Sequence, residues 1–127
     1  AKMGSAYLKT EEPLDAIVSF KEAAQIFEGC LSESKDPQSH QEEAMVRALI
    51  ECYRNLLQTA ELYPIEININ KSRYYSKIAH SLVRLKEYEK AAGIYKAAID
   101  IQRQTNASEP FIIASNLHNL GNCLYEI

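Results

Sequence analysis

Residues 84–101 read RLKEYEKAAGIYKAAIDI, with one glycine, no proline and alanines placed at regular intervals between larger apolar side chains. Apolar residues here recur every three or four positions, the period of a helix face. The same arrangement occurs 75 residues earlier. Residues 2–26 read KMGSAYLKTEEPLDAIVSFKEAAQI, and residues 77–101 read KIAHSLVRLKEYEKAAGIYKAAIDI. At that shift Met3 meets Ile78, Gly4 meets Ala79, Tyr7 meets Leu82, Ala16 meets Ala91, Phe20 meets Tyr95 and Ala23 meets Ala98. Small falls on small and large on large at each position. A second shift, of 42, lays Tyr75 on Leu117, Ile78 on Leu120, Ala79 on Gly121 and Leu82 on Leu124. Where two helices cross, Gly or Ala lets the axes approach and a large ring fills the adjacent hole. The alanines of residues 84–101 therefore read as crossing points in an array.

The small–aromatic–small pattern resembles the tetratricopeptide repeat. It stands as Gly4, Tyr7, Ala16, Phe20, Ala23 and again as Ala79, Leu82, Ala91, Tyr95, Ala98. ASNLHNLGNCLYEI, residues 114–127, resembles the first helix of the longer repeats of kinesin light chains and polarity scaffolds. The soluble attachment proteins of vesicle fusion are a more distant likeness. The resemblance implies an all-α fold: a right-handed array of antiparallel helix hairpins, or TPR-like α-solenoid. It would form one domain over 1–127, with units at about 1–34, 38–70, 71–105 and 109–127. The second unit is irregular, because 38–62 reads as one long helix without the expected partner. Ala1 opens and Ile127 closes inside a pattern, so the chain reads as a piece of a longer protein.

Start signals place about six helices, at 1–8, 12–31, 38–62, 71–85, 88–104 and 109–127. Thr10 precedes acidic residues and Pro13. Asp36 reads as an N-cap with Pro37 following, Asn70 as the cap of the next helix, and Ser108–Glu109–Pro110 as the start of the last. In the long middle helix the apolar face reads as Met45, Leu49, Cys52, Leu56 and Ala60, and Gly93 reads as a site of close backbone packing. YPIEININ, residues 63–70, alternates isoleucine with polar residues as a strand does. No second strand candidate exists to pair with it, so it reads as an extended connector whose isoleucines press on neighbouring helices.

Hydrophobic residues make up 46% of the 127 and charged residues 24%, which suits a soluble globular domain. The net charge of −3 gives no general attraction to nucleic acid or acidic membranes, and no apolar run is long enough to span a bilayer. The charge is uneven: residues 1–63 hold 6 Lys/Arg against 11 Asp/Glu, and residues 64–127 hold 8 against 6. Cys30, Cys52 and Cys123 have no metal-ligand spacing and read as reduced thiols of an intracellular, cytoplasmic protein. No catalytic motif, metal site or cofactor loop is legible, which points away from an enzyme and from any cofactor or metal.

The chemistry-bearing feature is a stripe. Arg73, Lys77, His80 and Arg84 are spaced 4, 3 and 4, opposite the apolar face of helix 71–85. The shift of 42 carries Lys77 onto Asn119 and His80 onto Asn122, and His118 stands beside them. The family resemblance implies that such first-helix residues line a concave groove that holds a peptide or helix. The partner-binding set is then Arg73, Lys77, His80, Arg84, His118, Asn119 and Asn122. A protein or peptide partner is expected, with carboxylates or phosphates suited to the cations and backbone amides to the asparagines. Charge reversal at Lys77 and Arg84 is expected to weaken binding and leave helicity unchanged. The other readings are a complex-assembly or self-association domain of a larger helical-repeat protein, for example a trafficking or motor adaptor, and helical-repeat RNA binding. Net charge counts against the last.

Overall fold

The computed structural model describes residues 11–33, 39–64, 69–105 and 110–127. Among these residues every element is an α-helix: α1 Glu11–Glu33, α2 His40–Leu62, α3 Lys71–Arg84, α4 Tyr88–Gln104 and α5 Pro110–Glu126. The expected helix 1–8 lies outside the described residues, as do Thr10, Asp36, Pro37, Ser108, Glu109 and the isoleucines Ile65 and Ile67. The all-α expectation holds, with five described helices.

Local chemistry sets the described ends. α2 is capped by Ser39, whose hydroxyl accepts from the Glu42 amide at 3.1 Å. The sequence suggested Asp36 for that role, but the helix begins at His40 and its cap is Ser39. Asn70 caps α3 as expected: its Oδ1 accepts from the Arg73 amide at 3.2 Å and from the Ser72 hydroxyl at 2.8 Å. α3 ends with Lys86 in the left-handed region, at φ 62°. There the Lys86 amide bonds the Val83 carbonyl and the Glu87 amide bonds the Leu82 carbonyl, the two bonds of a Schellman turn.

Each helix packs on the next in the chain. Ile17 near the start of α1 meets Leu56 and Ala60 late in α2, while Ala24 and Leu31 join the cluster containing Val46, Leu49 and Tyr53. The two helices therefore run antiparallel. Three residues link α3 to α4, and so short a link between packed helices turns the chain back on itself. The α2 face differs from the expected one. Its buried line is Val46, Leu49, Ile50, Tyr53, Leu56, Leu57 and Ala60, with Met45 and Cys52 at its edge. The apolar arc is wide, and helix α3 closes over the Tyr53 side of it.

The repeat positions differ in depth. Ala91, Tyr95 and Ala98 are buried on α4, between α3 and α5. Burial pushes the Tyr95 phenol up to about 12. Their counterparts Ala16, Phe20 and Ala23 on α1 are half-buried, because α1 has a single large helical neighbour, α2, among the described residues. Gly93 is not a close-packing site: it is exposed, and an added Cβ would meet nothing within 4 Å. Its cost to the helix, about 1 kcal/mol against alanine, has no packing compensation in the structure.

Candidate functional site

The apolar face of α3 presses Ile78, Ala79 and Leu82 into the core. That fixes its opposite face, which lines a cavity of about 1100 Å³. The last turns of α1 (Glu28, Leu31, Ser32) form one wall and the first turns of α5 (Phe111, Ile112, Asn116, Asn119) the other, with Tyr95 and Gln102 of α4 behind. A largely buried hydrogen-bond chain ties α3, α5 and α4 together. Ser76 Oγ donates to Asn116 Oδ1 at 3.0 Å, and Asn116 Nδ2 donates to Gln102 Oε1 at 3.2 Å. Buried amides must be paired to be tolerated, so this chain fixes how α5 is rotated against α3 and α4.

Of the residues singled out from sequence, Arg73, Lys77, His80, Arg84 and Asn119 line this one cavity. His118 and Asn122 do not; both are exposed on α5, with Asn122 Nδ2 3.4 Å from His118 Nε2. The shift of 42 places α5 about one residue off in rotation. The residues α5 buries are Asn116 and Cys123, while Leu117 and Leu124, counterparts of Tyr75 and Leu82, are exposed.

Two members of the stripe are neutralised from within. Lys77 Nζ lies 3.1 Å from Glu28 Oε2, which also accepts from the Tyr53 hydroxyl at 2.5 Å. The ammonium stands 5.8 Å from the centre of the Tyr53 ring. Arg84 donates through Nε at 2.9 Å, and through Nη2, to Glu42 Oε1. The same Nη2 donates to the Leu31 carbonyl at 3.2 Å. Glu42 is 1% exposed. Sequence reading missed Glu28, Glu42, Tyr53, Asn116 and Gln102. A signal existed for two of them: Glu42 sits four residues before Val46 on the apolar line, and Asn116 stands between Ile113 and Leu120 at three- and four-residue steps. A polar group on an apolar line is a group that needs a buried partner.

The electrostatics follow from these contacts. Burial acts to raise the Glu28 carboxyl, but the Tyr53 hydroxyl and the Lys77 ammonium outweigh it and hold it below the ordinary 4.5. Burial and the adjacent Glu28 push the Tyr53 phenol well above its usual range. Because its folded pKa lies below the unfolded one, Glu28 stabilises the fold above pH 4.5, and that contribution disappears as pH falls through the folded value. The pair is partly exposed, so it is worth under about 1 kcal/mol. Glu28→Gln is expected to show a shallower loss of stability than the parent chain between neutral pH and the acid range below 4.5, read by urea unfolding at a series of pH values. Parallel curves for the two would remove Glu28 from the acid response.

The site offers ammonium, guanidinium, amide and hydroxyl groups beside apolar walls. Such a set binds anions and peptide backbone. Among the described residues no group of three or more His, Cys, Asp or Glu is placed to hold a metal, and no helix is long and apolar enough to cross a membrane. The chain matches no family model, no curated protein and no solved structure.

Proposed function

We propose that this chain is a non-catalytic protein-interaction module of tetratricopeptide type, a right-handed array of helix hairpins whose groove takes a peptide or helix of a partner protein. The carrying observation is the cavity of about 1100 Å³ between α1, α3 and α5, lined by five of the seven residues singled out from the sequence. Its mixture of cations, amides and apolar walls matches what a peptide offers, which is carbonyls and amides along the backbone and side chains on either side. Panning a displayed random-peptide library against the chain tests this. Selected peptides titrated into the isotope-labelled protein are expected to move the NMR signals of His80, Ser76 and Asn119. Selected peptides that leave these signals in place would overturn the groove assignment.

A second reading, complex assembly or self-association, is favoured by apolar side chains exposed on two helices. These are Leu117, Leu124 and Tyr125 on α5, and Val18 and Ile26 on α1. Light scattering across a concentration series separates the readings, since a mass that rises with concentration belongs to the second.

A further inference from the structure

The cations of the groove are not equivalent. Among the described residues four line it: Lys71, Arg73, Lys77 and Arg84. Glu28 neutralises Lys77 and Glu42 neutralises Arg84. Lys71 and Arg73 have no salt-bridge partner among the described residues, although Arg73 feels the field of Glu28. Both are exposed. The groove therefore has a self-neutralised interior and an open cationic end, in a chain whose net charge is −3.

That end also has an apolar component. α3 and α5 flank α4. A three-residue link turns α3 back into α4, and α5 runs against α4, since Asn116 early in α5 meets Gln102 late in α4 while Cys123 late in α5 lies by the earlier Tyr95. α3 and α5 therefore run in the same direction. Ser76 is bonded to Asn116. One turn towards the N-terminus from that bond stand Arg73 on α3 and Ile112 on α5, and both line the cavity together with Phe111. Phe111 is 84% exposed and lines the same cavity. A large exposed ring lining one cavity with two cations that have no salt-bridge partner among the described residues is the kind of anchor on which binding energy concentrates.

Resting on the groove reading above, we propose that Lys71, Arg73, Phe111 and Ile112 select a partner protein segment in which carboxylates lie next to large apolar side chains, and that Glu28 and Glu42 withhold Lys77 and Arg84 from it. Among the described residues that line the groove, an acidic segment finds cations without a salt-bridge partner only at this end. A chain of phosphates would need a longer row of unneutralised cations than two, so the protein partner is favoured over nucleic acid.

The library selection supplies the test. Peptides that move the groove signals are expected to be enriched in Asp or Glu adjacent to Phe, Leu or Ile. Arg73→Glu and Phe111→Ser should each lower their affinity about tenfold or more, with helicity unchanged because both side chains are exposed. Raising salt should weaken binding to the parent chain and have less effect on Arg73→Glu. Glu28→Gln frees Lys77 and should strengthen the binding of acidic peptides. The proposal is overturned, with the groove reading intact, if groove-binding peptides show no acidic enrichment or bind Arg73→Glu as tightly as the parent. It is overturned as well if poly(U) RNA displaces the peptides at equal charge concentration. If no peptide moves the groove signals, both readings fall together.

Discussion

Arg84→Glu is expected to destabilise the fold by about 3 kcal/mol, a large part of the roughly 5–15 kcal/mol that holds a domain of this kind together. Arg84 serves three helices at once. Its Nε and Nη2 meet the carboxylate of Glu42 on α2, which is 1% exposed, and Nη2 also reaches the Leu31 carbonyl in the last turn of α1. The carbonyls of a last turn lack partners within their helix and attract cations. α1 has no basic residue of its own there, and α3 supplies one across the interface. Reversing the charge at 84 sets a second carboxylate against the buried Glu42. Arg84→Lys should fall between, because one ammonium cannot reproduce the fork that holds both acceptors. Lys77→Glu should cost under about 1 kcal/mol, since its pair with Glu28 is partly exposed. Urea unfolding followed by helical circular dichroism ranks the three. Equal midpoints for Arg84→Glu and the parent chain would exclude the clamp. The sequence expectation that reversal at both positions leaves helicity unchanged is thus retained for Lys77 alone.

The contrast between these two cations shows which features a sequence can carry. The 4, 3, 4 spacing of Arg73, Lys77, His80 and Arg84 is local, and it placed them correctly on one face of α3 and in one cavity. Their partners are not local. Glu28 stands 49 residues from Lys77, and Glu42 stands 42 residues from Arg84. Those pairings exist because α1 and α2 run antiparallel and α3 closes over them, which no periodicity encodes. The case of His118 and Asn122 is different. The repeat identified α5 as a helix, but its rotation is set by Asn116 bonding Ser76 and Gln102, and this turns Asn119 into the groove and His118 away from it. Polar groups standing on apolar lines, such as Glu42 and Asn116, were the one local sign of the buried network.

Tyr95→Ala is expected to cost about 3–5 kcal/mol, enough to leave the chain largely unfolded if its stability lies at the low end of the usual range. Tyr95 is 1% exposed, with Ala91 and Ala98, both 0% exposed, one turn to either side of it on α4. If these alanines are crossing points, enlarging one is also costly. Ala91→Leu forces branched carbons into a place with no free surface, at about 1–3 kcal/mol. The α1 counterparts discriminate between a packing code and a shared composition. Phe20 aligns with Tyr95 in sequence but is half-buried, so Phe20→Ala removes less buried surface and should cost well under the Tyr95→Ala value. Likewise Ala16→Leu, at a half-buried site, should cost less than Ala91→Leu. A chain in which all four substitutions cost the same would have alanines that are merely helix formers. Unequal costs that follow depth would mean that the repeat specifies contact, and that α4, between α3 and α5, is where its full contact set is met.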